Sequence, residues 1–374
     1  MKFLHLADLH LGKRMNDYSL LDDQMHALQQ VVAMAKTYQV DAVLLAGDIY
    51  QKASPPSEAM AAFDQFLQDL TALQIKVFLI SGNHDSDTRI SYFSTLIRHA
   101  GVYASQQFDG TLQQIPVEDD HGTVIIHLLP FIKPAHVKAF YPDEPIHTYE
   151  DAVRCVLANS PMQMNARHVL LAHQFIIGAE CCDSEVNAVG GLDQISASLF
   201  DAFDYVALGH IHKPQQIRRE TMRYAGSLLK YSFSEANHHK SVCLVEMNEM
   251  GNVNVTQLPL IPLHDVREIE GNLAQLIRAD YSEDYVHIIL HDEVVPPDAR
   301  ISLLTVFPNM MKFSIHNSRT SEEIDVLAKD HIDDKSIRQL FCDFYMLQNH
   351  QQSPPESHLD VLDEILLKLE EHDE

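Results

Sequence analysis

Five short polar motifs in this sequence combine residue types that bind metal ions. They stand at the ends of apolar, strand-like runs and comprise Asp8 with His10, Gly47-Asp48, Gly82-Asn83-His84-Asp85, His173, and Gly209-His210 with His212. Any one of them has an ordinary structural explanation, because the chain contains 23 histidines and a lone histidine at a strand end is usually a hydrogen-bonded core residue. Together they supply carboxylate oxygens, an amide oxygen and, besides His84, four imidazoles, a set that fits two divalent metal ions.

The spacing within the motifs suggests how two ions could be held. Two cations about 3.5 to 4 Å apart repel each other, and a carboxylate between them screens that repulsion. We predict that Asp48 is this bridging ligand and that Gly47 lets the backbone turn sharply out of its strand. Asp8 and His10 are two residues apart, so on an extended segment both side chains would point to the same side and bind one ion together. His210 and His212 have the same spacing.

The expected chemistry is hydrolysis of a phosphate ester. A metal pair lowers the pKa of a bound water and neutralises the phosphate oxygens that it orients. Asn83 can give a neutral oxygen to one ion, while the neighbouring His84 stays free to protonate the leaving oxygen or to stabilise transition-state charge. Asp85 either orients His84 or caps the next helix. Mixed oxygen and nitrogen ligands without a thiolate favour Mn, Fe or Zn in open coordination.

The surrounding sequence predicts an α/β fold that brings the motifs together. Its first half alternates strand-like runs with amphipathic stretches, in the order KFLHLAD, LLDDQMHALQQVVAMAK, DAVLLAGD, SEAMAAFDQFLQDLTAL and IKVFLISGNHD. Open α/β sheets place ligands beyond the carboxyl ends of their strands, so the motifs should converge in one cleft. The later runs RYAGSLL, SVCLVEM and NVNVTQLPL, without helices between them, predict a second, antiparallel-rich sheet.

A change of pattern near residue 262 predicts a domain boundary. We expect a domain at 1–261 that carries the motifs, a smaller α+β domain at 262–318, and a helical tail at 319–374. The smaller domain should contain a helix at NLAQLIRA, a strand at YVHIIL, a helix at ARISLLTVF and a strand at MKFSIH.

Two helices are predicted in the tail. They either pack on their own domain or form a docking surface for a partner helix. Their apolar positions are Ile337, Leu340, Phe341, Phe344 and Leu347 in the first helix, and Leu362, Ile365, Leu366 and Leu369 in the second.

Charge and composition narrow the possible substrates and the compartment. The formal net charge is -26, from 53 acidic and 27 basic residues, so a polyanionic substrate would need bound metals or a basic partner. The five cysteines are odd in number and form no CxxC pair, which favours a reducing compartment. The N-terminal residues lack the apolar core of a signal peptide, and no run is long enough to cross a bilayer. We expect a soluble cytoplasmic protein.

The five motifs, in this order, resemble those of the calcineurin-like metallophosphoesterase superfamily, namely DxH, GD, GNH[D/E], a lone H and GHxH. The stretches LHLADLHLGK, VDAVLLAGDIYQKASPPS, ISGNHDS, ALGHIHKPQ and YAGSLLKYSFSEANHHKSV look more specifically like the bacterial DNA nuclease subunits of that superfamily. The resemblance implies a two-sheet sandwich flanked by helices, a smaller α+β capping domain and a helical C-terminal tail.

The resemblance also implies specific roles. Asp8, His10, Asp48 and His212 would hold one manganese ion, Asp48, Asn83, His173 and His210 the other, and His84 would be the catalytic histidine. The implied activity is a metal-dependent exonuclease on double-stranded DNA and an endonuclease on single strands and hairpins, acting in DNA repair, recombination and replication. The implied partners are a second copy of the chain, DNA, and a coiled-coil ATPase whose base the tail would grip.

One departure and two alternatives remain. Some relatives carry a histidine three residues after the bridging aspartate, where this sequence has Gln51. Protein phosphatases of the superfamily place arginines after GD and use GNHE, unlike GDIYQKASPP and GNHD here. A small-molecule phosphodiesterase on the same scaffold, or a non-catalytic scaffold that tethers DNA ends, are the competing functions. The basic residues Lys13, Arg14 and Lys52 lie beside the motifs and could touch phosphates.

Overall fold

The computed structural model describes residues 1–92, 94–185, 193–249, 252–317, 337–348, 352–359 and 361–363. The chain divides into two compact units, Met1–Arg267 and Glu268–Glu374. The first unit contains all five polar motifs.

The described part of the first unit is built from short strands, α-helices and a few 3-10 turns. Its strands are β1 (Lys2–Leu6), β2 (Arg14–Met15), β3 (Tyr18–Ser19), β4 (Ala42–Ala46), β5 (Lys76–Ile80), β6 (Val102–Ala104), β7 (Gln113–Asp119), β8 (Gly122–Leu129), β9 (Arg167–His173), β10 (Phe175–Ile176), β11 (Gln194–Ile195), β12 (Tyr205–Gly209), β13 (Gln215–Ile217), β14 (Arg219–Tyr224), β15 (Ser241–Met247) and β16 (Val253–Pro259). Its helices are α1 (Leu21–Thr37), α2 (Ser57–Ala72), α3 (Asp87–Ser91), α4 (Ser94–Ile97), α5 (Pro134–Lys138) and α6 (Tyr149–Ala158).

Two six-stranded sheets form the core of this unit. The first has the order β16-β15-β1-β4-β5-β6, and the second the order β13-β14-β12-β9-β8-β7. Strands β1, β4, β5 and β6 run parallel, as do β8, β9, β12 and β14. In the first sheet the antiparallel strands β15 and β16 lie beyond β1, and the parallel strand β6 forms the other edge. In the second sheet the antiparallel strands β13 and β7 form the two edges.

The two sheets pack face to face through buried apolar side chains. Phe3, Leu44 and Phe78 of the first sheet share one cluster with Leu171 and Ala207 of the second. The outer face of the second sheet has its own cluster, which includes residues of α6. The predicted α/β fold, a two-sheet sandwich flanked by helices, is therefore confirmed.

The later strand-like runs do not form the antiparallel-rich second sheet that was predicted for them. The runs SVCLVEM and NVNVTQLPL form β15 and β16, but these join the first sheet, where β15 is antiparallel to β1. The second sheet is mostly parallel rather than antiparallel-rich. The run RYAGSLL is strand only as far as Tyr224. Local periodicity shows where a strand lies, whereas its neighbours are chosen by packing between distant segments.

The second unit has a smaller, three-stranded sheet. Its elements are β17 (Val266–Gly271), α7 (Leu273–Leu276), β18 (Tyr285–Leu290), α8 (Ala299–Leu304) and β19 (Met310–Ile315), followed by α9 (Ile337–Gln348). The sheet order is β17-β18-β19, with β18 parallel to β19. Val286, Ile288, Leu303 and Phe307 form its core. The helices α7 and α8 occur where they were predicted but are shorter.

The helical character of the C-terminal region is confirmed where it is described. The segment α9 covers the first predicted tail helix, and residues 356–359 and 361–363 are also helical. Leu362 lies in the last of these, while Ile365, Leu366 and Leu369 lie outside the described residues. Within the described ranges, no helix is both long and apolar enough to span a membrane. None of the five cysteines forms a disulfide bond.

Candidate metal centre

The five polar motifs follow the carboxyl ends of five parallel strands. Strands β1, β4 and β5 of the first sheet end at Leu6, Ala46 and Ile80, just before the first three motifs. Strands β9 and β12 of the second sheet end at His173 and Gly209, within the last two. The parallel order therefore places all five motifs at one end of the sandwich, as predicted from the sequence.

The backbone of the first motif is not extended, and this part of the prediction is wrong. Asp8 and His10 have φ values of 54° and 45°, and His210 has a φ of 101°. The loop after β1 stays paired with the loop after β4, through hydrogen bonds from Asp8 N to Gly47 O (3.1 Å) and from His10 N to Asp48 O (2.9 Å). Left-handed residues beyond the strand end, rather than strand alternation, bring the side chains together.

Asp48 lies between imidazoles that belong to different sheets. Its Oδ2 atom is 3.5 Å from His10 Nε2 and 3.4 Å from His173 Nε2. Its Oδ1 atom accepts a hydrogen bond of 2.9 Å from the backbone N–H of His84. The side chain is almost fully buried, with φ at 50°. One carboxylate oxygen is therefore held in place while the other faces two nitrogen ligands.

A first group of ligand atoms surrounds one side of Asp48. Atoms of Asp8, His10 and His212 lie within 4.8 Å of one another, and the Nε2 atoms of His10 and His212 are 3.1 Å apart. The Asp8 carboxylate accepts the backbone N–H of His210 at 2.9 Å and 3.2 Å. These contacts place one carboxylate and two imidazoles around a common point.

A second group lies on the other side. Asn83 Oδ1 is 3.0 Å from His173 Nε2 and 3.0 Å from His210 Nδ1. The other ring nitrogen of His173 donates a hydrogen bond of 2.8 Å to the carbonyl oxygen of Ala46. His173 Nε2 is therefore the atom available as a ligand. The structure thus brings together all seven predicted ligands.

Burial and neighbouring charges shift the pKa values within the cluster. Burial alone would lower the pKa of His173, but the Asp48 carboxylate raises it to about 9, and burial raises the pKa of Asp8 to about 7, so a cation bound here would displace a proton from His173. Burial lowers the pKa of His10 well below its ordinary value and lowers that of His210 to about 3, so both rings are neutral at pH 7 and keep a lone pair. Burial alone would raise the pKa of Asp48, but the imidazoles of His173 and His10 hold that pKa well below its usual range. The buried Nδ1 of His10 has no hydrogen-bond partner among the described residues. The donor set therefore fits divalent cations.

Close backbone approach explains two glycines of the motifs. A Cβ atom on Gly82 would lie 2.2 Å from Asp48 Oδ1. A Cβ atom on Gly47, which has a φ of +90°, would lie 2.4 Å from His173 Nδ1. A side chain at either position would displace a predicted ligand.

His84 lies at the edge of the first group. Its ring is 4.8 Å from the ring of His10, edge to face, and it is only partly buried. One of its nitrogens lies within 4.8 Å of ligand atoms of His10 and Asp48. Its Nδ1 donates a hydrogen bond of 3.0 Å to the backbone carbonyl of Gln51. This leaves Nε2 as the nitrogen that can exchange a proton with a substrate.

Asp85 neither bonds to the His84 ring nor caps the next helix, the two roles predicted for it. Its carboxylate accepts the backbone N–H groups of Ile49 (3.0 Å), Tyr50 (2.9 Å) and Gly82 (3.0 Å). The N-cap residue of α3 is Ser86, without a side-chain capping bond. Asp85 therefore ties the loop after β4 to the loop after β5, which carry Asp48 and Asn83.

Motif analysis missed the residues that surround His212. They contact its backbone and its imidazole and are Ser184, Glu185, Glu235 and Lys240. They come from two distant segments, and no regular spacing marks them. A signal was present only in the stretch SEANHHKSV, which belongs to the resemblance but not to any metal motif.

Two family models match successive parts of this chain. The family model described as calcineurin-like phosphoesterase matches residues 1–214, and the SbcD C-terminal model, described as type 5 capsule protein repressor C-terminal domain, matches residues 262–349. A dimetal phosphatase from Danio rerio has 11% identity and a TM-score of 0.42, over 70% of this chain and 96% of that one. The protein TT1561 of Thermus thermophilus has 13% identity and a TM-score of 0.37, over 68% and 98%.

The fold and the centre define a metal-dependent phosphoesterase, a hydrolase with a dimetal site. Because the first family model matches more than half of the sequence, the chain belongs to the calcineurin-like phosphoesterase family. The second match, which follows it along the chain, indicates an SbcD-type member.

Proposed function

We propose that this chain is a manganese-dependent DNA nuclease that shortens double-stranded ends and cuts single strands and hairpins. It would act with an SbcC-type coiled-coil ATPase, as a homodimer in the cytoplasm, in DNA repair, recombination and replication. The observation that carries phosphodiester hydrolysis is the position of Asp48 Oδ2 between His10 Nε2 and His173 Nε2. The choice of DNA is supported by the SbcD C-terminal match beyond the phosphoesterase match.

We assign the ligands to two ions that share Asp48. The first ion would take Asp8, His10 and His212, and the second would take Asn83, His173 and His210. The close approach of His10 Nε2 to His212 Nε2 supports the first set. The position of Asn83 Oδ1 at 3.0 Å from nitrogens of both His173 and His210 supports the second.

The metals supply a hydroxide nucleophile and neutralise phosphate oxygens when bound. The role that we give His84 is proton donation to the leaving oxygen from Nε2, or stabilisation of charge in the transition state. Two contacts support this role, because the backbone N–H of His84 is bound to Asp48 Oδ1 and its Nδ1 to Gln51 O. The first contact fixes the backbone of His84, and the second fixes the orientation of its ring. The ring remains partly exposed to an incoming substrate.

The strongly negative chain needs local cations to approach DNA. Lys13 is partly buried beside the centre, with Nζ 5.1 Å from the ring centroid of Tyr231. Arg14 and Lys52 are exposed, and the Arg14 guanidinium is bound to the carbonyl of Asp17. We propose that Lys13 touches substrate phosphate and that the ATPase partner supplies most of the remaining positive charge.

We propose the domain roles on the same basis. Residues 1–261 would be the nuclease domain and 262–318 a capping domain that positions DNA. Residues 319–374 would dock on the base of the ATPase coiled coil. The exposed Phe344 of α9 fits a helix that is covered by a partner.

The deciding experiment is cleavage of an end-labelled DNA duplex by the full chain in Mn²⁺, with and without an SbcC-type ATPase and ATP. Wild type is compared with His84→Ala and with His99→Ala, a control that removes an exposed imidazole. We expect Mn²⁺-dependent shortening that requires His84, increases with the partner and is unchanged in the control. Hydrolysis of bis-p-nitrophenyl phosphate without DNA cleavage would instead establish a small-molecule phosphodiesterase. DNA-end binding without any hydrolysis would establish a tethering scaffold.

A further inference from the structure

Nearly every polar group of His212 is occupied by a neighbouring residue. Its backbone N–H donates to Glu185 Oε1 at 2.7 Å. Its carbonyl oxygen accepts from Lys240 Nζ at 2.8 Å. Its Nδ1 is 2.7 Å from the hydroxyl oxygen of Ser184. The remaining polar atom, Nε2, lies 3.1 Å from His10 Nε2 in the first ligand group.

The direction of the hydrogen bonds fixes the proton on this ring. The Ser184 hydroxyl is 2.6 Å from Glu235 Oε1, and an ionised carboxylate only accepts. Ser184 therefore donates its one proton to Glu235 and must accept from N–H at His212 Nδ1. With the proton at Nδ1, the Nε2 atom of a neutral His212 carries a lone pair.

A buried ion pair keeps Glu235 ionised. The carboxylate is fully buried, and its Oε2 atom is 2.5 Å from Lys240 Nζ. It also accepts the backbone N–H of Tyr231 at 3.1 Å. The same ammonium of Lys240 binds the backbone carbonyl of His212, while Glu235 reaches the imidazole of His212 through Ser184.

A cation between Cys182, His212 and Glu235 is the alternative, since ligand atoms of these three residues also lie within 4.8 Å of one another. Two contacts argue against it. The Lys240 ammonium already neutralises Glu235, and the Ser184 hydroxyl already occupies His212 Nδ1. Burial also raises the pKa of the Cys182 thiol, which keeps it protonated.

We infer that Glu235, acting through Ser184, is a positioning residue that holds His212 in its Nδ1–H tautomer and so directs the Nε2 lone pair at the first metal ion. The inference rests on the proposed role of His212 as a ligand and does not depend on DNA as the substrate. His10 differs, because its Nδ1 has no partner in the described part of the chain and its tautomer is not fixed in this way. Outer partners of this kind typically change metal affinity about 10- to 100-fold.

The test is a titration of the metal-free full chain with Mn²⁺ alone, read by calorimetry and by the electron paramagnetic resonance of free Mn²⁺. Ser184→Ala removes the hydroxyl between His212 Nδ1 and Glu235, whose Oε1 is left 3.5 Å from Nδ1, beyond a good hydrogen-bond distance. Ser184→Thr keeps a hydroxyl as the conservative variant. Ser232→Ala is the matched control, because Ser232 Oγ also contacts Glu235 Oε1, at 3.4 Å, and is not bonded to His212. Histidine ¹⁵N chemical shifts of the metal-free proteins report the tautomer of His212 directly.

We expect Ser184→Ala to weaken one of two Mn²⁺ sites about 10- to 100-fold, the same site that His212→Ala removes, and to leave the other unchanged. Ser184→Thr and Ser232→Ala should behave like wild type. The Nδ1–H tautomer of His212 should be present in wild type and lost in Ser184→Ala. Two unchanged sites and an unchanged tautomer in Ser184→Ala would overturn the inference. A wild-type chain that binds no Mn²⁺ would instead refute the proposed ligand assignment.

Discussion

The imidazole Nδ1 of His84 lies 3.0 Å from the backbone carbonyl oxygen of Gln51 and donates a hydrogen bond to it. The acceptor is a main-chain atom, so this hydrogen bond does not depend on which side chain occupies position 51. This contact gives His84 a defined tautomer in a chain that lacks a histidine at position 51. The fold of the loop after β4, rather than the identity of residue 51, orients the proposed catalytic ring.

Replacement of Gln51 tests this relationship. Gln51→Ala keeps the carbonyl that His84 uses, so Mn²⁺-dependent phosphodiester cleavage should stay within about threefold of wild type, the range of substitutions that remove no key contact. The measurement is kcat with bis-p-nitrophenyl phosphate or a DNA duplex. A loss of a hundredfold or more would show that the Gln51 side chain itself acts in the site.

Removal of His84 should separate catalysis from metal binding. We expect His84→Ala to lower kcat by about 10²- to 10⁴-fold, the usual contribution of a general acid, with two Mn²⁺ ions still bound. Cleavage rate and Mn²⁺ stoichiometry are measured on the same preparation. A His84 nitrogen lies within 4.8 Å of ligand atoms of His10 and Asp48, so His84 is close enough to bind an ion itself. Loss of a bound ion in His84→Ala would contradict the expected result. It would make His84 a ligand.

Neutralising Asp48 should affect both ions. Asp48→Asn keeps an oxygen that can accept the His84 N–H but removes the charge that screens two adjacent cations. Mn²⁺ stoichiometry should fall from two to less than one under conditions that saturate wild type. Asp41→Asn, which changes an exposed carboxylate, is the control. Retention of one tightly bound ion would show that Asp48 belongs to a single ion and does not bridge.

Asp85 should matter for stability as well as for the site. Asp85→Ala leaves the N–H groups of Ile49, Tyr50 and Gly82 without their acceptor, and each such loss costs about 1–3 kcal/mol when the group stays buried. Urea unfolding of the metal-free chain should show this loss, and Mn²⁺ binding should weaken. Asp109→Ala, which removes an exposed carboxylate bonded to Thr111, is the comparison. Equal stability of the two variants would contradict the loop-tying role.

A buried histidine outside the centre should make stability depend on pH. Burial lowers the pKa of His127 to about 3, from an ordinary value near 6.5. Between these values the unfolded chain binds a proton that the folded chain does not, so this histidine makes the free energy of unfolding fall as pH falls. The effect is about 1.4 kcal/mol per pH unit, or about 2 kcal/mol between pH 6.5 and 5.

The measurement is urea unfolding of wild type and His127→Gln in EDTA at several pH values. The free energy of unfolding of the variant should fall less steeply as pH falls, with a slope that corresponds to about one fewer proton taken up on unfolding. Parallel curves for the two proteins would show that folding does not shift the titration of His127.

Much of the centre was predictable because each proposed ligand lies in a short motif at the end of a strand. Asp8, His10, Asp48, Asn83, His173, His210 and His212 all stand at strand ends, and parallel strands place their carboxyl ends together. The left-handed backbone of Asp8 and His10 was not predictable from spacing, since it depends on pairing with the loop after β4. The role of Asp85 was missed for the same reason, because its partners Ile49 and Tyr50 lie more than thirty residues away.

The sequence by itself determined the alternation of strands and helices, the α/β class and the ligand types, because these follow from local periodicity and side-chain chemistry. The tertiary structure decided which strands are neighbours, so that β15 and β16 complete the first sheet. It also decided which groups contact the proposed ligands, such as Ser184 at His212 Nδ1, with Glu235 bonded to Ser184. The physical reason is that a buried polar group takes the partner that folding places within hydrogen-bond distance, and that partner can lie anywhere along the chain.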